Sequence, residues 1–159
     1  MRCLITGGSS GIGLEMAKYL SSLGFEVTYL NVNEDGLIDL NELESSIRED
    51  TILVSIMAAN NEIGTLMPLK EIGSICKKHK VLFHTDAVQA YGNIPIDVNE
   101  MNIDLLSTSA HKIEGPKGIG FLYVRKGVMI TPLISGGMQE KGKRAGTTNA
   151  PGIIGFAKA

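Results

Sequence analysis

The chain has 159 residues, 43% of them hydrophobic and 20% charged, with a formal net charge of −2. That length suits one domain with a real core, and so even a balance of charge offers nothing to nucleic acid or to an acidic membrane surface. No apolar run approaches membrane-spanning length, and Cys3 and Cys76 stand far apart in no metal spacing, which argues against a disulfide framework or a zinc site and for a reducing, cytoplasmic location.

Strand-like and helix-like segments alternate along the chain. Arg2–Thr6 reads as a strand. The glycines and serines from Gly7 to Gly11 interrupt any signal-peptide pattern. A helix is predicted over Gly11–Leu23, with Ile12, Met16, Leu20 and Leu23 on one face. Phe25–Leu30 is a second strand, and Asn33-Glu34-Asp35-Gly36 a turn. Asp39 caps a helix through Ile47, with Glu42 completing a capping box. Thr51–Met57 is a near-continuous apolar run, the pattern of a strand buried on both faces. Pro68 opens a helix to His79. Val81–His84, Asp104–Thr108 and Ile119–Val124 are further strands, the last too close to its predecessor for a crossover helix and so antiparallel to it. Residues 135–147 form a glycine-rich loop bearing Lys141, Lys143 and Arg144. The chain stops inside an apolar segment at 153–157, which is expected of part of something longer.

This alternation predicts a three-layer α/β sandwich on a mostly parallel sheet. Ligands of such sheets bind at the carboxyl ends of the strands, and the chemistry-bearing residues fall there. Lys112 sits on a tight loop, Ser109-Ala110-His111-Lys112, followed by Gly115 and Gly118. Its amine can form an imine with a carbonyl cofactor, the more readily if burial near other cations lowers its pKa. The Ser109 hydroxyl, the His111 imidazole and loop N–H groups beside it can hold a phosphate. Asp86 ends an earlier strand and offers a carboxylate that would keep a pyridine nitrogen protonated. Gln89, three residues on, and Asn61, at the neighbouring strand end, can aim amides at a ring oxygen. Amine, carboxylate and phosphate donors together read as a pyridoxal-phosphate (PLP) site. Singly, each has a plainer reading. A loop lysine is surface charge, Asp86 caps the turn after it, Asn60-Asn61 is a turn, and the basic loop is a mobile one. His84 reads as a hydrogen-bonded structural residue and takes no role.

From Phe25 to Ala159 the chain resembles the cysteine desulfurases of the NifS/IscS type, class-V aminotransferase-like PLP enzymes. The resemblance rests on VSIMAANNEIGT, HTDAVQAYGNIPIDV, STSAHKIEGPKGIGFLYVRKGV and GGMQEKGKRAGTTNAPGIIGFAKA. It implies that Lys112 carries PLP, that Asp86 pairs with the pyridine nitrogen, and that Gln89 and Asn61 contact the ring. Ser109 and His111 would hold the phosphate, and Thr147 would reach the phosphate of the partner subunit in a homodimer. It further implies L-cysteine as substrate, alanine and a persulfide as products, and sulfur delivery to an iron–sulfur scaffold protein and to tRNA thiolation. The family's persulfide cysteine and its substrate-gripping arginine lie C-terminal to this segment. Ala58 stands where the family usually has a histidine. Little desulfurase turnover is therefore expected of this chain.

The first 24 residues resemble something else. Thr6-Gly7-Gly8-Ser9-Ser10-Gly11-Ile12-Gly13 is similar to the TGxxxGIG cofactor loop of short-chain dehydrogenases, in strand–turn–helix context. It implies NAD(P) at Gly7–Gly13 in a Rossmann-like βα unit. That family's Tyr-x-x-x-Lys is absent, and the second strand ends near Asn31 without an acidic residue at the usual ribose position. The expected organisation is one domain, a chimera of a Rossmann-like unit at residues 1–24 with a partial PLP-transferase large domain at 25–159.

Overall fold

The computed structural model describes the backbone of residues 1–5 and 11–159, and the side chains of 1–5 and 14–159. Six strands form one sheet: β1 (Arg2–Ile5), β2 (Glu26–Tyr29), β3 (Thr51–Met57), β4 (Leu82–Asp86), β5 (Leu105–Ser109) and β6 (Gly120–Val124). Their order is β2-β1-β3-β4-β5-β6. The first five run parallel, and β6 pairs antiparallel with β5. The helices are α1 (Gly11–Ser22), α2 (Leu40–Ser46), α3 (Leu69–His79) and α4 (Ala150–Lys158).

The strand order places the layers. The step from β1 to β2 runs one way across the sheet and the step from β3 to β4 the other way. Right-handed crossovers then put α1 on one face and α3, with α2 beside it, on the opposite face. The three-layer α/β reading therefore holds. The main core lies under α2 and α3, where Leu4, Val54, Ile56, Phe83 and Leu106 from the sheet meet Leu43, Ile72 and Cys76 from the helices.

Local chemistry sets the helix ends. Asp39 caps α2, its Oδ1 accepting from the N–H groups of Asn41 at 2.7 Å and Glu42 at 3.4 Å. The Glu42 carboxylate does not complete the capping box; it turns away to accept from the Asn31 amide at 2.8 Å. Pro68 is the N-cap of α3 rather than its first residue. Lys80 ends α3 in the left-handed region, at φ 58°, where its N–H and that of Val81 return to carbonyls of the last turn.

Three expectations need correction. On α1 Ala17 is buried, Leu20 half-buried and Met16 exposed, and Leu23, just past the helix end, is exposed too, so the described part of the predicted face is not the inward one; the Ile12 side chain lies outside the described residues. β3 is fully buried only on the face of Val54 and Ile56; on the other face Leu53, Ser55 and Met57 are half-buried. β4 runs on through Thr85 to Asp86 because its ladder with Met57 continues past the apolar run. The predicted end of the first strand at Thr6 lies outside the described residues.

Candidate functional site

The C-terminal edge of the parallel strands gathers most of the predicted residues. Asp86 pairs with Met57 of β3 on one side and with Ser107 of β5 on the other. Neighbouring strands lie about 4.8 Å apart, so Asp86 is one strand away from the strand that ends in Ser109. Two backbone bonds stitch these ends together: Ala58 N–H donates to Asp86 O at 2.8 Å, and Ala87 N–H to Ser107 O at 2.9 Å. The Asp86 side chain is exposed, and its Oδ1 accepts from the Val88 N–H at 2.9 Å. The capping role thus coexists with a second carboxylate oxygen left for a ligand.

After Ser109 the chain makes a single 3-10 turn, Ala110–Lys112, and folds back on buried Ala110. Ile113 and Gly115 N–H groups both donate to the Ala110 carbonyl, and Ala110 N–H donates to Ile119 O. A Cβ at Gly115 would stand 2.8 Å from that of Ala110, and one at Gly120 would run into the Thr108 carbonyl oxygen. Both positions therefore need glycine for the loop to close. Ser109 Oγ and His111 Nδ1 lie 2.7 Å apart at the loop's head. Lys112 is exposed, so the burial expected around its amine is not found in this chain.

The two asparagines divide their work. Asn60 builds the turn, its Oδ1 accepting from Glu62 and Ile63 N–H groups at 2.8 and 3.1 Å. Asn61 is exposed beside it. Gln89 is half-buried in the turn after Asp86 and accepts at its carbonyl from the Asn93 amide at 3.2 Å. Thr147 is not brought into this group. It is exposed on the segment leading into α4, and among the described residues no hydrogen bond ties it to the lysine loop. The surface hollows lined by Ile47, Thr51 and His79 and by Leu82, Asp104 and Arg125 lie at the opposite, N-terminal end of the strands, away from this chemistry.

One feature escaped the sequence reading. His84 shares a sheet face with Asp86, two residues before it. Its Nδ1 is 2.8 Å from Ser55 Oγ of β3, and its Nε2 is 3.2 Å from Ser107 Oγ of β5. Burial pushes the imidazole below its ordinary value, against a smaller opposing pull from the Asp86 carboxylate. The two-residue spacing from Asp86 was the available signal, since alternate strand residues share a face.

Comparison with known proteins gives the arrangement its context. The sequence model of the family described as aminotransferase class-V matches residues 13–159. The mitochondrial cysteine desulfurase of Saccharomyces cerevisiae is 63% identical over 148 residues, which is 92% of this chain and 30% of the relative. The cysteine desulfurase IscS of Methanosarcina thermophila is 60% identical over 146 residues, 92% of this chain and 36% of the relative. Among solved structures, "SspA in complex with cysteine" superposes with a TM-score of 0.93 at 45% identity, covering 98% of this chain and 46% of that one. A NifS-like protein superposes at 0.92 and 51% identity, covering 99% of this chain and 44% of that one. The chain thus spans about a third of the length of the curated relatives it matches. The structural likeness runs through the first βα unit, and it lends no support to NAD(P) at Gly7–Gly13; residues 6–10 of that loop lie outside the described residues.

Proposed function

The chain belongs to the aminotransferase class-V family, and we propose that it forms the cofactor-holding core of a cysteine desulfurase. The observation that carries this reading is the placing of Asp86 and the Ser109–Lys112 loop on adjacent strands at one sheet edge. The donor set suits PLP. Asp86 has a carboxylate oxygen beyond the one that caps Val88, and would hold the proton on the pyridine nitrogen. Lys112 supplies the amine that ties the cofactor to the chain. The paired Ser109 hydroxyl and His111 imidazole would hold the phosphate, and Gln89 and Asn61 would face the ring's substituents. When bound, PLP supplies an electron sink for bond changes at a substrate α-carbon.

The substrate in this reading is L-cysteine, and its sulfur is destined for an iron–sulfur scaffold protein. Neither cysteine described here suits the role of sulfur acceptor. Cys3 and Cys76 are both buried and free, and burial pushes both thiols upward, Cys76 to about 12. A sulfur acceptor needs an exposed thiolate. We therefore assign these 159 residues cofactor binding with little desulfurase turnover of their own. The detached position of Thr147 supports a site completed by a second copy, with Thr147 reaching the partner's phosphate.

Adding PLP and recording the visible spectrum tests the assignment. A new absorbance band is expected in the native chain and is lost in Lys112→Ala. If no band forms, or if it persists in the variant, the reading fails.

A further inference from the structure

The face of the sheet that carries Asp86 is mostly apolar across β3, β4, β5 and β6, where the pleat and register place Leu53, Met57, Leu82, Leu105, Leu122 and Val124. A polar row crosses it. Ser55, His84 and Ser107 lie on three successive strands, joined at 2.8 and 3.2 Å through the two ring nitrogens. Both imidazole nitrogens are therefore engaged, and rotation of the ring would break both contacts. A neutral imidazole has one donor and one acceptor nitrogen, and a serine hydroxyl can take either part. The row is thus satisfied without a net charge.

This row stands immediately before the strand ends that carry the site. β3 leads to Asn61, β4 ends at Asp86, and β5 ends at Ser109 and the lysine loop. We propose that His84 is a positioning residue for Asp86, a neutral ring clamped by Ser55 and Ser107 that holds the three site-bearing strand ends together. It leaves Asp86 as the one charge on this stretch of the face.

The groups facing the ring are few. β3 presents Leu53, Ser55 and Met57, β5 presents Leu105 and Ser107, and β4 presents Leu82 and Asp86. Asp86 is the charge that bears on His84, favouring its protonated form, while burial opposes it more strongly. Linkage is reciprocal. A protonated His84 would weaken the hold of Asp86 on a pyridinium proton, and anything that neutralises Asp86 would make His84 harder to protonate. The proposal rests on the PLP reading for what Asp86 binds, but the coupling between His84 and Asp86 is measurable without the cofactor.

The experiment is nitrogen-15 NMR of the imidazole rings in the full chain, titrated with acid. The chain has three histidines, and loss of one signal set in His84→Gln assigns the ring. Both ring nitrogens of His84 are hydrogen-bonded in the native chain, and their shifts are expected to move in Ser55→Ala/Ser107→Ala. Asp86→Asn is expected to move the His84 midpoint further down. Ring nitrogen shifts that do not respond to Ser55→Ala/Ser107→Ala, or a midpoint indifferent to Asp86→Asn, overturn the proposal. PLP is then added as a separate arm. A downward move like that of Asp86→Asn supports both readings, whereas an unmoved midpoint after a positive Asp86→Asn result removes the cofactor reading and leaves the His84–Asp86 coupling established.

Discussion

Cys76 shows how burial silences a nucleophile. Its thiol is packed into the core under α3, and both desolvation and the nearby Asp104 carboxylate raise its pKa, to about 12. Cys3 is buried in β1, and burial raises its thiol in the same direction. Since it is the thiolate that attacks such reagents, the native chain is expected to react with an aromatic disulfide reagent at neither cysteine within minutes. Both should react once urea unfolds it. Rapid labelling of the folded protein would show that one of the two is accessible after all. Asp86 and Lys112 are the contrasting cases, reactive groups left exposed on the sheet edge.

α3 lies close against the turn at Met101. Gly73 is buried in its middle, where an added methyl would run into the Met101 carbonyl oxygen. Glycine in a helix interior ordinarily costs about 1 kcal/mol relative to alanine. Overpacking against a fixed backbone costs about 1–3 kcal/mol or more, so the clash outweighs the gain. Gly73→Ala is expected to lower the urea midpoint, by an amount equivalent to about 1–2 kcal/mol; an unchanged or raised midpoint would mean that the Met101 turn yields freely. The elements themselves were largely readable from periodicity and caps, down to the antiparallel β6 inferred from its short connection. What could not be read was which residues face inward. Met16 of α1 and Leu23 just past its end have helical spacing yet lie exposed, because burial depends on where the crossover lands the helix. β3 reads as buried on both faces because its apolar run says nothing of which layers cover it. The positions of Asp86 at a strand end and of Ser109, His111 and Lys112 on a tight loop were legible because strand ends and tight loops are local. The Ser55–His84–Ser107 row was not, since it joins three strands whose register only the folded sheet defines.

At the scale of the whole molecule, the buried imidazole makes stability depend on pH. His84 has a folded-state value below the ordinary 6.5, so on acidification the unfolded chain takes the proton first. Stability contributed by the neutral ring is present above that ordinary value and is lost as the pH falls through the folded one. The urea midpoint is expected to fall between pH 7.5 and 5.5, and to fall less in His84→Gln. An equal fall in both would assign the loss to other groups. The antiparallel turn at the sheet's edge has a different consequence, one of modularity. The lysine loop is spanned by a hairpin, Leu105–Val124, whose two strands are neighbours in both sequence and space. Its amine, hydroxyl and imidazole could be grafted together as one continuous segment. Asp86 reaches the same edge by a parallel pairing, with residues 87–104 intervening. The carboxylate is therefore a property of the assembled sheet, and a transplant of the hairpin alone would carry the amine, hydroxyl and imidazole without it.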